Sequence, residues 1–299
     1  MIINYHKYIS YQYLIKMKVC VFVASHINYD GQNDLLKECL SSLINQTKKP
    51  DIFVSISFSE KKYRLEFVHK ILSNFLKYVN FLYSDDHLYQ MEHLHKLTEK
   101  FANKYDLIMF CDDDDTYASD RVETFMYAHE NGLSNSKDFI LGGVKEIMDS
   151  NHPLVSPEFW CYGLKPEILI EFFKRFSSNG KIDLLKHIFS DMYLRAYLAC
   201  INKNDEKFGF IAIAIDEPGE TLYRYNKLNP NSICETLLNR ETNEIENNNI
   251  LLMTLHCLTL TDFNKRMDEL EERHQHKIDK MTKEEMISIH NFCVNILYI

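Results

Sequence analysis

The chain has 299 residues, of which 45% are hydrophobic, and this is enough for a sizeable buried core in one or two domains. Its net charge of −9 argues against a general nucleic-acid binder or a binder of anionic membranes. No apolar run approaches the roughly 18 residues that cross a bilayer, and the start lacks the apolar core of a signal peptide. The eight cysteines form no C-x-x-C pair, which is typical of buried free thiols. The sequence therefore predicts a cytoplasmic protein in a reducing compartment.

The first part of the chain alternates between strand and helix patterns. Residues 1–16 form a tyrosine-rich leader, either a peripheral strand or a disordered segment. The apolar run 19–24 predicts a buried parallel strand, and apolar residues then recur at helical spacing over 35–44. The pairing repeats as strand 52–58, helix 63–76, strand 79–83, helix 88–101 and strand 106–111. Strict alternation of this kind predicts an α/β fold with a doubly wound, mostly parallel sheet flanked by helices.

The second part of the chain is less regular. The patterns predict helix 121–130, strand 139–144, a short strand 158–162, helix 167–176 behind Pro166, helix 184–200 and strand 208–215. The composition predicts a main domain at 17–238, a polar linker at 239–249 and a C-terminal helical extension at 250–299. We expect the extension to pack on the domain or to form a homodimer through a short apolar stripe.

Four consecutive carboxylates, Asp112 to Asp115, directly follow the buried strand pattern at 106–111. The carboxyl ends of parallel strands are where open α/β sheets bind ligands. Alternate members of such a row can share a hard divalent cation with a phosphate. A solvated turn is the plainer alternative, although Ser119 and Asp120 already supply the caps that the next helix needs. We refer to Asp112–Asp115 as the acidic row.

This arrangement resembles the nucleotide-sugar-binding half of GT-A fold glycosyltransferases, most of all those of the family 2 type. The resemblance covers about residues 17–232, and it rests on the first strand 19–25, the first helix 35–47 and the acidic row as a D-x-D motif. It implies a metal-dependent, hexosyltransferase-type enzyme that moves a sugar from a nucleotide-diphosphate donor, with UDP-sugars foremost, to an acceptor hydroxyl. A Mn²⁺ or Mg²⁺ ion would neutralise the departing diphosphate. The acceptor stays open among glycans, proteins and small molecules.

The resemblance also implies roles for individual residues. Asp114 would be the direct metal ligand, and Asp112 would lie toward the ion or the donor's ribose. Asp115 would support the ligands from behind, and the register stays open by one because the row also contains Asp113-x-Asp115. The residues implied on the donor are Ala24, Ser25, Ser57, Asp112, Asp113 and Arg224, and the residue implied on the acceptor side is Trp160.

Asp191 resembles the acidic start of the helix that carries the catalytic base in inverting members of the family. An inverting transfer needs a carboxylate on the acceptor side of the anomeric carbon, opposite the departing diphosphate. The family more often has Glu-Asp where this chain has Ser190-Asp191. A Ser-Asp pair that simply caps a helix is an equal alternative.

Two other functions fit the same row. Asp112-x-Asp114-x-Thr116 matches the D-x-D-x-T signature of haloacid-dehalogenase-like phosphatases, in which the first Asp is a phosphoryl nucleophile. That signature normally ends the first strand of its domain, whereas three strand–helix units precede it here. A catalytically inactive GT-A-like binding module is the third possibility. Serines stand at 55, 57 and 59, where family 2 chains tend to carry acidic residues that read the base, so the base and the sugar stay open.

Overall fold

The computed structural model describes residues 2–4, 17–135, 140–147, 158–178, 180, 182–186, 190–191, 193–195, 197–198, 208–214 and 221–226. The predicted linker and helical extension at 239–299 lie outside these residues, so the predicted homodimer contact stays a prediction. Within the described residues, no helix has both the length and the apolar character that a bilayer span requires.

The strands of the described residues are numbered in chain order. They are β1 (Ile2–Asn4), β2 (Val19–Ile27), β3 (Asp51–Phe58), β4 (Val79–Tyr83), β5 (Leu107–Asp112), β6 (Thr116–Tyr117), β7 (Ile140–Ile147), β8 (Tyr162–Leu164), β9 (Phe208–Ala214) and β10 (Tyr223–Arg224). The helices are α1 (Gln32–Ile44), α2 (Lys61–Phe67), α3 (Ser73–Phe75), α4 (Gln90–Phe101), α5 (Arg121–Asn135) and α6 (Pro166–Ser178), and a π-helical turn, Val68–Leu72, joins α2 to α3.

Eight strands form one sheet in the order β1-β9-β7-β8-β5-β2-β3-β4, and β6 pairs with β10 in a separate two-stranded sheet. The run β5-β2-β3-β4 is parallel, and β9 is parallel to both β1 and β7. Only β8, among these strands, is antiparallel to its neighbours β5 and β7. The predicted α/β fold with a mostly parallel sheet flanked by helices is confirmed.

The position of β2 between two cores explains why its sequence is continuously apolar. Val19, Val21 and Val23 face a core shared with α1, α2 and α5, whereas Cys20 and Phe22 face a second core shared with α4 and α6. Alternate side chains of a strand point to opposite faces, so a strand covered on both sides needs apolar residues throughout. The cysteines within the described residues, Cys20, Cys39, Cys111 and Cys161, are buried free thiols.

The structure differs from the predicted elements in two places, and both lie in the second part of the chain. The predicted strand 158–162 is wrong, because Phe159–Cys161 forms a 3₁₀ turn and the strand begins only at Tyr162. The predicted continuous helix 184–200 is also wrong at its start, where Ile182–Leu185 forms a 3₁₀ turn. The described helical residues of that segment lie between 191 and 198. Short aromatic runs carry no periodicity that separates a turn from a strand.

A close approach of two glycines allows β8 to lie between β5 and β7. Gly143 has a φ of 146° at an irregularity in β7, and a Cβ atom there would lie 2.0 Å from the backbone oxygen of Gly163. A side chain at this position would collide with backbone, so glycine is required. The resulting path brings the turn Phe159–Cys161 into contact with β5, the strand that ends in the acidic row.

Candidate functional site

The acidic row lies at the carboxyl edge of the sheet, at the end of its central strand β5. Asp112, the last residue of β5, stands opposite Ala24 of β2, and Ala24 in turn stands opposite Ser55 of β3. The carboxyl ends of parallel strands share one edge, so the ends of β2, β3 and β5 lie side by side at the same edge of the sheet. The row therefore projects where a ligand of an open α/β sheet binds.

Asp113 is held by the segment that leads from β2 into α1. Its Oδ2 accepts a hydrogen bond from Ser25 Oγ at 2.6 Å and another from Gln32 Nε2 at 3.1 Å. The same amide nitrogen of Gln32 also donates to the backbone oxygen of His26 at 3.1 Å. Gly31, with a φ of 91°, turns the chain just before Gln32 and so allows α1 to begin there. The Asp113 carboxylate is thus fixed by neutral donors.

Asp115 is buried and connects the row to the segment that contains β10. Its Oδ2 accepts a hydrogen bond from the Tyr223 hydroxyl at 2.7 Å, and its Oδ1 accepts one from the backbone N–H of Asn226 at 2.7 Å. The Tyr223 hydroxyl also accepts the backbone N–H of Asp112 at 3.0 Å. Both carboxylate oxygens of Asp115 are engaged, so the register Asp113-x-Asp115 is the poorer metal-binding pair.

Asp112 and Asp114 form the alternate pair of the row, and both are half-buried. Asp112 Oδ1 accepts a hydrogen bond from Gln90 Nε2 at 2.7 Å, where Gln90 is the first residue of α4. The turn between the two carboxylates is closed by the backbone N–H of Asp115, which donates to the oxygen of Asp112 at 3.2 Å. This turn presents alternate side chains of the row at the sheet edge.

The row concentrates negative charge. Burial raises the pKa of the Asp112 carboxyl well above its usual range, and the charges of Asp115, Asp114, Asp113 and Asp191 raise it further. Burial, followed by the charge of Asp114, raises the pKa of Asp113 to about 7, against the two hydrogen bonds that lower it. The pKa of Asp115 is raised to about 6, mainly by burial. A bound cation would relieve this repulsion.

The charge of Asp191 contributes to the raised pKa of Asp112, so the two carboxyl groups lie within range of each other's charge. It is half-buried in a helical turn, and the Ser190 oxygen accepts the backbone N–H of Tyr193 at 3.1 Å. An ion pair between Arg195 and Glu158, at 2.6 Å, connects this helical segment to the turn that carries Trp160. The structure thus brings Asp191 near the row.

Trp160 is half-buried and stacks on two tyrosines of the β10 segment. Its ring centroid lies 4.2 Å from that of Tyr223 and 6.2 Å from that of Tyr225, with the planes nearly parallel. Tyr225 is 40% exposed, so the outer part of this stack meets solvent. Arg224 is exposed and pairs through its backbone with Thr116 in the strand just after the row.

The two serines predicted on the donor are buried, and protein groups engage their hydroxyls. Ser25 bonds to Asp113, as described above. Ser57 Oγ lies 2.8 Å from His26 Nδ1 and 3.1 Å from His93 Nε2. Ala24 is half-buried and lies toward the carboxyl end of β2. Ala24, Ser25, Asp112 and Asp113 therefore lie together at the row, whereas Ser57 belongs to a neighbouring histidine cluster.

The residues of the row fit a hard divalent cation. No group of three or more His, Cys, Asp or Glu side chains in the described part of the chain is arranged to enclose a metal by itself. Mg²⁺ and similar ions commonly take one or two carboxylates together with substrate phosphates rather than an all-protein cage. Asp112 and Asp114 supply two such carboxylates, so this donor set fits a metal that is shared with a diphosphate.

Several residues that shape the site gave no signal in the sequence. Gln32, Gln90 and Tyr223 donate to or bridge members of the row, but neutral polar side chains have no distinctive spacing. Arg121 and Glu146 form a fully buried ion pair beneath the row's end of the sheet. Arg121 Nη2 also donates to the backbone oxygen of Trp160 at 2.9 Å. Only the fold brings these residues together.

No protein-family model matches the chain, and no curated protein matches it. Solved structures with overlapping folds include residues 1–349 of S. aureus TarS in complex with UDP, with a TM-score of 0.49, 13% identity, and coverage of 94% of this chain and 81% of that one. A longer S. aureus TarS structure overlaps with a TM-score of 0.47 and 13% identity over 94% of this chain, which spans 49% of that chain.

A third overlap is with the mannosyltransferase PcManGT of Pyrobaculum calidifontis in complex with GDP-Man and Mn²⁺. Its TM-score is 0.45 at 9% identity, over 94% of this chain and 70% of that one. At TM-scores below 0.5, these likenesses assign neither a family nor an activity to the chain.

Proposed function

We propose that the chain is a metal-dependent, GT-A-like glycosyltransferase that moves a sugar from a nucleotide-diphosphate donor to an acceptor hydroxyl. The observation that carries this proposal is the acidic row at the carboxyl end of the central strand. Protein donors fix Asp113 and Asp115, and the alternate pair Asp112 and Asp114 would share a cation with a phosphate. UDP-sugars are the first donors to test.

Asp112 and Asp114 would hold the Mn²⁺ or Mg²⁺ ion, which supplies charge neutralisation to the departing diphosphate. Ala24, Ser25 and Asp113 border that position and would form the wall on which the donor rests. Ser25 acts through Asp113, whose carboxylate it holds at 2.6 Å. Arg224 is exposed on β10, where it pairs with Thr116 of β6, and it would contact phosphate oxygens from the β10 side of the row.

Asp191 would act as the general base. Its carboxylate would take the proton of the acceptor hydroxyl while the acceptor oxygen bonds to the anomeric carbon and the bond from that carbon to the diphosphate breaks. This geometry inverts the anomeric centre. The stack of Trp160 and Tyr225 offers a flat, partly exposed aromatic surface, which suits the acceptor side.

The replacement Asp114→Asn tests the metal role. We expect it to abolish Mn²⁺-dependent binding of UDP in calorimetric titration, because the neutral amide is a weak ligand for a hard cation. Circular dichroism should show an unchanged fold, since Asp114 is half-buried at a turn. Asp34→Asn, at an exposed carboxylate of α1, is the matched control and should leave UDP binding unchanged. Unaltered UDP affinity in Asp114→Asn would remove the site assignment.

The replacement Asp191→Asn tests the base. We expect donor affinity to be kept and the rate of sugar transfer to fall by roughly 10² to 10⁴, because a positioned base contributes about that factor. Single-turnover transfer with radiolabelled donor would measure it. A variant that transfers at the original rate would leave only the helix-capping role for Asp191. Rapid hydrolysis of a generic phosphate ester by the unmodified protein would instead favour the phosphatase alternative.

A further inference from the structure

A chain of hydrogen bonds runs from the buried end of β3 to the surface beside the acidic row. Ser55 Oγ lies 2.8 Å from His93 Nδ1, and His93 Nε2 lies 3.1 Å from Ser57 Oγ. Ser57 Oγ lies 2.8 Å from His26 Nδ1, and His26 Nε2 lies 2.9 Å from His87 Nδ1. We call these five residues the histidine relay. Its inner end is buried, whereas His87 is exposed.

The inner rings of the relay are uncharged at neutral pH. Burial, with smaller effects from neighbouring charges, lowers the pKa of His93 to about 3, and burial with the charge of His87 lowers the pKa of His26 to about 4. A neutral imidazole has one N–H donor and one acceptor nitrogen. Because hydroxyls both donate and accept, every bond in the relay can run in either direction. The direction of the bonds decides whether His87 Nδ1 donates to His26 Nε2 or accepts from it.

The relay is joined to the acidic row through Gln32, and its outer residue precedes another side chain that bonds to the row. Gln32 Nε2 donates both to the backbone oxygen of His26 and to Asp113, at 3.1 Å each. His87 stands three residues before Gln90, whose amide nitrogen donates to Asp112 at 2.7 Å. The relay and the acidic row therefore share Gln32, and the helix start that bonds to Asp112 follows His87 in the chain.

We infer that His87, supported by the relay behind it, hydrogen-bonds the nucleobase edge of the donor and helps to set base preference. This inference rests on the proposed function. Ser55 and Ser57 supply hydroxyls to the relay, so neutral hydrogen-bonding groups rather than carboxylates stand behind its outer imidazole. Ser57 is a positioning residue, because it acts through the ring of His26.

The chemistry of the relay favours a base over the other parts of a nucleotide-sugar. The ring centroids of His26 and His87 lie 3.9 Å apart, and those of His87 and Tyr89 lie 4.9 Å apart. The outer end of the relay is therefore a cluster of aromatic rings, and planar bases commonly rest on such rings. No metal-binding set of three or more side chains occurs there within the described residues.

The test compares nucleoside diphosphates with inorganic pyrophosphate, all in Mn²⁺, by calorimetric titration. The variants are His87→Phe, which keeps a ring without nitrogens, and Ser57→Ala, which interrupts the relay away from the ligand. His69→Phe, at another exposed histidine, is the matched control. UDP and CDP are the informative pair, because their base edges present opposite donor and acceptor patterns.

We expect His87→Phe to weaken binding of the preferred nucleoside diphosphate roughly tenfold, the effect of one lost hydrogen bond, with pyrophosphate affinity unchanged. Ser57→Ala should shift the ratio of UDP to CDP affinity severalfold, which a purely structural role would not do. If both variants keep the original preferences while the protein still binds nucleoside diphosphates, the inference is wrong and the proposed function stands. If the unmodified protein binds none of these ligands, both are overturned.

Discussion

At the scale of single residues, the acidic row is a destabilising feature of the protein without a cation. Its carboxylates are close together and partly removed from water, so ionising all of them is unfavourable. Such an arrangement persists where function requires it, and stability commonly rises when a functional charge is neutralised. The row should therefore limit stability most when it is fully ionised.

Asp113→Asn tests this at a carboxyl whose pKa is raised from 3.8 to about 7. The folded protein holds the proton that the unfolded chain loses above pH 4, so the penalty from Asp113 grows between pH 4 and 7 and is complete above pH 7. We expect the variant to be more stable by about 2 kcal/mol at pH 8, with a smaller gain at pH 5. Urea unfolding of the variant and the unmodified protein, in the presence of a chelator, measures the gain in stability at each pH. An equal gain at the two pH values would contradict the charge repulsion.

The sequence predicts single residues well only where they form a pattern. Asp112–Asp115 stand out because four charges end an apolar strand, and Asp191 stands out through its resemblance to a catalytic helix start. His26, His87 and His93 are separated along the chain and show no ligand spacing. They come together because β2 and β3 pair in register, with His26 opposite Ser57, and because α4 covers that end of β3.

At the scale of elements, the buried pair Arg121–Glu146 connects the second part of the fold to the site. Arg121 begins α5, Glu146 lies on β7, and both side chains have 0% exposure. Glu146 Oε1 also accepts the backbone N–H of Leu222 at 3.1 Å, and the Arg121 guanidinium lies over the Tyr223 ring. The pair thus holds the β10 segment, which in turn bonds to Asp115.

Arg121→Met should destabilise the protein by about 3–5 kcal/mol, because it leaves a buried carboxylate without its partner. The matched control is Arg64→Met, which breaks the ion pair between Arg64 and Asp85. These two side chains are 54% and 90% exposed, so the replacement should lower the free energy of unfolding by at most about 1 kcal/mol. Urea denaturation of both variants measures the difference. Equal small effects would mean that the buried pair does not hold these elements together.

Element prediction succeeds where periodicity is strong and fails where packing decides. The strands β2 to β5 and their helices follow from apolar runs that alternate with helical spacing. The predicted strand over Phe159–Cys161 becomes a turn, because β8 has to enter antiparallel between β5 and β7 past the close contact of Gly143 and Gly163. That contact joins distant parts of the chain, so no local pattern encodes it.

At the scale of the whole molecule, charge makes the proposed function strongly dependent on metal. The chain carries a net charge of −9, and the row adds concentrated negative charge at the proposed diphosphate position. A diphosphate approaching such a surface is repelled unless a divalent cation lies between them. The proposed binding should therefore be negligible in a chelator.

The most direct measurement is the thermal stability of the unmodified protein with UDP, CDP, GDP and ADP, each with Mn²⁺ and with chelator. A ligand at about 100 times its dissociation constant adds roughly 2.7 kcal/mol to the free energy of unfolding, which raises the melting temperature visibly. We predict stabilisation by at least one nucleoside diphosphate in Mn²⁺ and none in chelator. Stabilisation that is equal with and without metal, or absent with every nucleotide, would contradict the proposed donor site.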